Sequence, residues 1–220
     1  PKPNKADNDP HSYLKKKVGY YLSESGFIAE LQKTLEIAPH CRSPFSYIME
    51  AADDISYGIA DLEDAVEKGV LTVAQMKQAL VAKFRELTTH LTDDERDVMR
   101  LMLDKATNSA KGSDSMFFVF LRVGVNSRLP QHAQKRFMDN IEAVFNGSFN
   151  HALIEDHSVN HMIVETFKRV ALEQAFCHPE VEARELQGYR VISGLLECYK
   201  PILALSRKQF NVLVYGKQTD

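Results

Sequence analysis

With 220 residues, 44% apolar and 26% charged, the chain has enough apolar surface for a core of its own and does not read as a disordered polar segment. A formal net charge of -3 gives no global basic field, so bulk electrostatics do not single out nucleic acid or an anionic membrane as the main partner. The three cysteines, Cys41, Cys177 and Cys198, lack metal-type spacing, and neither an export signal nor an apolar run of membrane-spanning length occurs, so the expected location is cytoplasmic, with no membrane partner.

Residues 1–11 open with Pro1-Lys2-Pro3, carry almost no apolar surface and have no initiator methionine. They read as a flexible connector inside a longer chain, with residues 12–220 as the helical portion. Beyond the connector almost nothing alternates with period two while helix punctuation recurs, so the expected fold class is all-α. Ser23 is placed to cap a helix to about Ile37, and Ser43-Pro44 opens a second that Gly69 ends. Thr72 with Gln75 and Thr92 with Glu95 form capping boxes for helices to about Thr89 and about Ala110. From Ser115 to Val125 the run Met116-Phe117-Phe118-Val119-Phe120-Leu121 is too apolar to be exposed, and Pro130 starts a helix to about Asn146, before Gly147. Ser158 caps a helix to about Phe176, His178-Pro179 opens another through Tyr199, and Ser206 caps the last, near Gly216. Short loops throughout predict one compact helical unit without an interior linker or repeat.

The second of these helices carries the strongest chemical signal. At about 100° per residue, Glu50, Asp53, Tyr57, Asp61 and Asp64 fall within an arc of roughly 80°, while Ile48, Ile55, Ile59, Leu62 and Val66 cluster on the opposite side. Asp53, Tyr57 and Asp61 form a row about 11 to 12 Å long, enough for a metal at one end and a sugar hydroxyl at the other. A solvated surface explains most charge runs. Against it, Tyr57 exposes a large ring within acid, and Asp is a poorer helix former than Glu with less reach for surface ion pairs. The Asp-rich magnesium motif of isoprenoid synthases starts at Asp53-Asp54 but needs an aspartate where Tyr57 stands.

Other constellations are weaker. His157 and His161, one turn apart beside Glu155 and Asp156, have the spacing of two metal ligands, but zinc-protease chemistry needs Glu directly after the first His and Ser158 stands there. They read as a surface or loop-edge pair, and His178 as a turn residue. No glycine-rich phosphate loop, Gly-x-Ser-x-Gly elbow or Cys-x-x-Cys occurs. Lys15-Lys16-Lys17 ahead of Gly19-Tyr20-Tyr21 would suit phosphate or a single nucleic-acid strand, with a solvated basic turn as the plainer reading.

Three segments together resemble bacterial deoxyguanosine triphosphate triphosphohydrolase, of the HD superfamily. They are Lys16 to Glu24, the acidic helix from Tyr47 to Tyr57 with Asp61 to Val66, and Glu185 to Leu196; the likeness continues through Phe149-Asn150-His151-Ala152-Leu153. The resemblance implies an HD-type helical architecture, of which this is the C-terminal portion, and hydrolysis of dGTP or another dNTP to nucleoside and tripolyphosphate. A divalent metal, Mg2+ or Mn2+, activates water in that reaction. It further implies that Asp53 is a metal ligand, that Tyr57 and Asp61 contact the deoxyribose near its 2′ carbon and 3′ hydroxyl, and that Glu185 meets the guanine edge. A homo-oligomer, commonly a hexamer, and a single-stranded DNA effector are carried by the resemblance alone.

The chain departs from that pattern in one respect. The family holds its metal with a His, a His-Asp pair and a later Asp, and no His-Asp dipeptide occurs here. The expectation is that the remaining ligands and the catalytic residues lie upstream of Pro1, and that the 220-residue chain alone hydrolyses nothing at a useful rate. The alternative is a non-catalytic helical module that keeps the fold to bind a nucleotide, nucleic acid or another partner.

Overall fold

The computed structural model describes Tyr13, residues 20–37 and residues 41–216, and every regular element among them is helical. The connector reading of residues 1–11 and the Lys15-Lys16-Lys17 run lie outside the described residues. The chain divides into two compact units between Leu172 and Glu173. That division falls inside a helical stretch, where no linker composition marks it.

In the first unit a 3-10 turn, Leu22–Glu24, leads into α1 (Ser25–Thr34), followed by α2 (Pro44–Glu67) and α3 (Val73–Leu87). The Thr72 hydroxyl accepts from the Gln75 amide and the Gln75 side chain accepts from the Thr72 amide, the reciprocal box expected there. Thr92 and Glu95 form a second box, but its helix is short. α4 (Asp93–Arg96) stops at Asp97, whose amide turns back to the Asp94 carbonyl, and α5 (Val98–Ala110) starts afresh. The single helix expected over this stretch is therefore two. α6 (Asp114–Asn126) is capped by Ser113. The helix expected from Pro130 is likewise two, α7 (Leu129–Asp139) and α8 (Ile141–Phe145), broken at Asn140, whose side-chain amide donates to the Arg136 carbonyl and competes with the helix ladder. α9 (Val159–Val170), capped by Ser158, runs into a π-helical turn, Ala171–Phe176.

α5 and α6 pair as neighbours, while α9 packs on α3 and α2. Leu62, Met76, Leu80, Phe84, Leu103, Phe118, Leu121 and Ile163 are fully buried among them. The apolar run on α6 divides by helical periodicity. Phe117, Phe118 and Leu121 enter the core, whereas Met116 and Val119 face outward, which corrects the expectation that the whole run is covered. α9 reaches α2 at Gly58, where an added Cβ would stand 2.7 Å from Phe167 Cβ, so a side chain at this position would displace one helix or the other. Lys168 Nζ, 2.8 Å from Asp54 Oδ1, ties the same two helices at their rim.

The second unit contains α10 (Pro179–Leu203) and α11 (Arg207–Tyr215). Pro179 occupies the first turn of α10, where its missing amide leaves no bond unmade, and Ser206 with Gln209 forms a capping box for α11. No residue of α10 is buried, and Leu186, Tyr189, Ile192, Leu195, Leu196 and Tyr199 are exposed. Among the described residues no helix is long and apolar enough to cross a membrane.

Candidate functional site

Helix α2 sets Tyr47, Ala51, Ile55, Ile59, Leu62 and Ala65 into the core at three- and four-residue spacing. The other side carries Asp53 and Tyr57, both exposed, and Asp61, half-buried. At 60% exposure, Tyr57 presents most of its ring to solvent in the middle of this row. The structure thus brings Asp53, Tyr57 and Asp61 onto one face, as their spacing predicts. Glu185 stands in the second unit, exposed on α10.

Two neighbours on the helix depart from the helical-wheel expectation. Ile48, assigned to the core face, is half exposed, and Glu50, assigned to the open acid face, is buried. Glu50 is held inward because the Tyr13 hydroxyl donates to its Oε2 at 2.5 Å and Arg42 Nη1 lies 2.7 Å from the same oxygen. The Arg42 guanidinium sits over the Tyr13 ring, 4.5 Å from its centroid, and 5.4 Å from that of Tyr47. Burial, and after it the hydrogen bond to Glu50, pushes the Tyr13 hydroxyl far above its ordinary value, so it stays a neutral donor. The Tyr47 hydroxyl, also raised by burial, donates to the Phe149 carbonyl at 2.5 Å.

Arg42, Ser46, Met49, Glu50, Ala52, Asp53 and Ser56 line a cleft of about 590 Å³. A second, apolar groove of about 600 Å³ meets it at Ala52 and Ser56 and continues over Ile48, Ile55, Phe137 and Leu153. The flanking carboxylates of α2 are ion-paired: Asp54 to Lys168, Glu63 to Arg122 and Asp64 to Lys68. Asp61 differs from them. Burial, then the charge of Asp64, pushes its carboxyl above the ordinary value.

Among the described residues no three His, Cys, Asp or Glu side chains come together as a metal-holding group. Asp53 is an exposed hard oxygen donor at the edge of a cleft, which fits one ligand position of Mg2+ or Mn2+ and no more.

The histidines serve the loop ahead of α9. His157 is left-handed at φ 61, and its amide donates to His161 Nδ1 at 3.0 Å, so that nitrogen is not open to a metal. Burial foremost keeps the His161 imidazole below its ordinary value, as an acceptor requires. His90 Nε2 lies 3.1 Å from the His157 carbonyl. Next to them His132 Nε2 is 2.8 Å from Asp156 Oδ2, and the Ser158 hydroxyl donates to Asp156 Oδ1 at 2.6 Å. Burial raises the Asp156 carboxyl, but the Ser158 hydroxyl and amide, with His132 and Arg136, outweigh it and bring it below the ordinary value. Ser, His and Asp meet here without a nucleophile: the serine proton points to the carboxylate and the same oxygen caps α9.

The chain is homologous to bacterial deoxyguanosine triphosphate triphosphohydrolases. It is 48% identical over 228 residues to the probable deoxyguanosinetriphosphate triphosphohydrolase of Pseudomonas aeruginosa, a match covering 99% of this chain and 45% of that protein. The deoxyguanosinetriphosphate triphosphohydrolase of Serratia proteamaculans is 47% identical over 204 residues, covering 93% of this chain and 40% of its own length. That of Cronobacter sakazakii is 50% identical over 209 residues, covering 94% and 41%. The chain therefore spans less than half the length of these relatives. No protein-family model matches it.

Proposed function

We propose that this chain forms part of a metal-dependent dGTP triphosphohydrolase, with Asp53 as one ligand of Mg2+ or Mn2+ and Tyr57, Asp61 and Glu185 as substrate contacts. The observation that carries the reading is the row Asp53, Tyr57 and Asp61 on one outward face of α2, in a chain close to half identical to proteins named for that activity. The cation supplies Lewis acidity at the phosphoryl oxygen and lowers the pKa of water. Asp53 holds it at the cleft. The Tyr57 ring packs against the 2′ carbon of the sugar, leaving no room for a ribose hydroxyl, which is the basis for preferring deoxynucleotides. Asp61 accepts from the 3′ hydroxyl, and that bond offsets the unfavourable ionisation imposed by burial and by Asp64. Glu185 accepts from the guanine ring N–H and exocyclic amine. The products are deoxyguanosine and tripolyphosphate.

The remaining ligands and the catalytic groups come, in this reading, from parts of the protein outside these 220 residues, since the relatives are more than twice as long as the matched region. The same reading carries a homo-oligomer, a hexamer by resemblance, a single-stranded DNA effector and a cytoplasmic location.

The test is nucleoside release by the full-length polypeptide that carries this chain, with each dNTP and with Mg2+ or Mn2+. Asp53→Ala is expected to lose at least about a hundredfold in turnover at unchanged helical content, and Tyr57→Phe to keep the fold. Unaffected turnover in Asp53→Ala removes the metal role. Turnover of dGTP by the purified 220-residue chain would overturn the division of the site.

A further inference from the structure

Two apolar grooves on the first unit join into one band. The groove of about 600 Å³ beside the Asp53 cleft and another of about 650 Å³ share Ile48 and Phe137, so the band runs from Ser56 on α2 to Phe145 on α8. Its large side chains are open to solvent: Phe45 is 74% exposed, Phe145 68% and Ile48 49%. A continuous exposed apolar band is rare on a monomeric soluble protein and marks a face that another surface covers. None of the described residues lining the first groove is charged, and charge enters the other only at Glu36 and Arg42. A phosphate-bearing metabolite would find no counter-charge in the first groove, whereas the apolar ridge of a helix suits such a surface.

Position decides what covers it. The first groove and the cleft that Asp53 lines share Ala52 and Ser56, so whatever fills the groove stands beside Asp53. A second copy brings only the groups this chain already has. The matched region is 45%, 40% and 41% of the three relatives, so the larger part of each lies outside it. We infer that the band is the seat of the part of the same polypeptide that lies outside these 220 residues; this rests on the reading in which that part supplies the remaining groups of the site. Seated there, it covers Phe45, Ile48 and Phe145 and closes the apolar side of the cleft.

The experiment is photo-cross-linking of the full-length polypeptide that carries this chain, with Gln134→p-benzoylphenylalanine and, separately, Ile48→p-benzoylphenylalanine, both exposed positions on the band, and products mapped by mass spectrometry. Each is expected to give intramolecular cross-links to residues outside these 220, exceeding cross-linked dimer by at least about tenfold at micromolar protein. Dimer in excess identifies a second copy as the occupant and overturns the inference. Cross-links confined to residues 1–220 of the same chain overturn it too, as does a folded variant that forms none, which leaves the face to a small ligand or to solvent. A native polypeptide no longer than 220 residues overturns it outright. If the Ile48 variant does not fold, the Gln134 variant decides alone. Turnover by Asp53→Ala separates this inference from the catalytic reading. Unaffected turnover with the expected cross-links removes the metal role and leaves the band covered as inferred, whereas lost turnover without those cross-links removes the role of the band and leaves that of Asp53.

Discussion

Asp156, ahead of α9, and Asp61, on α2, are both half-buried, and the fold treats them in opposite ways. Around Asp156 it supplies a serine hydroxyl, a backbone amide, an imidazole and a guanidinium, which together hold the carboxyl down against its burial. Around Asp61 it supplies burial and a second carboxylate, which push it up. A carboxylate surrounded by donors is part of the scaffold. One left energetically unfavourable by its surroundings costs the native state stability without serving the scaffold, which is the pattern that the proposed sugar contact at Asp61 calls for.

Three measurements test that contrast, and one more tests the histidine beside Asp156. The largest effect is on catalysis: with Asp61 on the sugar as proposed, Asp61→Asn in the full-length protein is expected to lower kcat/KM for dGTP by about ten- to a hundredfold, through loss of that charge-assisted hydrogen bond. Asp156→Ala is expected to destabilise the fold by about 1–2 kcal/mol, reduced from a fully buried case by its partial exposure, in a urea or thermal unfolding curve. An Asp61→Asn protein that lost as much stability as Asp156→Ala would break the comparison.

The third effect is on pH dependence. The His161 value is lowered in the fold, so its contribution is complete above the ordinary value of 6.5 and is lost as pH falls from there through the folded value. Melting temperature is expected to fall between pH 7.5 and pH 5, and less steeply in His161→Asn. The smallest effect is Asp61→Asn on stability, a gain of about a few tenths of a kcal/mol at neutral pH. The Asp61 value is raised, so wild type carries no penalty below the ordinary value of 3.8 and acquires one as pH rises through the folded value. The gain should vanish in acid.

Helix starts were legible because their chemistry is local. The boxes at Thr72/Gln75 and Thr92/Glu95 lie within four residues and form as read, and Ser206 caps its helix as expected, whereas Ser23 lies inside the turn Leu22–Glu24 and Glu24 takes the cap position of α1. The breaks at Asp97 and Asn140 were not, since neither proline nor glycine marks them and both residues are tolerated inside helices. The row Asp53, Tyr57 and Asp61 followed from period alone. The inward turn of Glu50 did not, because one of its partners, Tyr13, is 37 residues away and a helical wheel has no entry for it. The Ser158, His132 and Asp156 knot was hidden for the same reason, although Ser158 itself was found as a cap.

Gly58 lies four residues from Asp54 and one from Tyr57, at the place where Phe167 of α9 meets α2 with no room for a side chain on α2. The neighbour there is Phe167 Cβ, an atom fixed by its own backbone, so the contact has no rotamers with which to yield. The row beside it on α2 is thereby referenced to α9 as to a datum surface: it is a fixed edge, and alanine at this position would raise the helix propensity while putting the edge out of true.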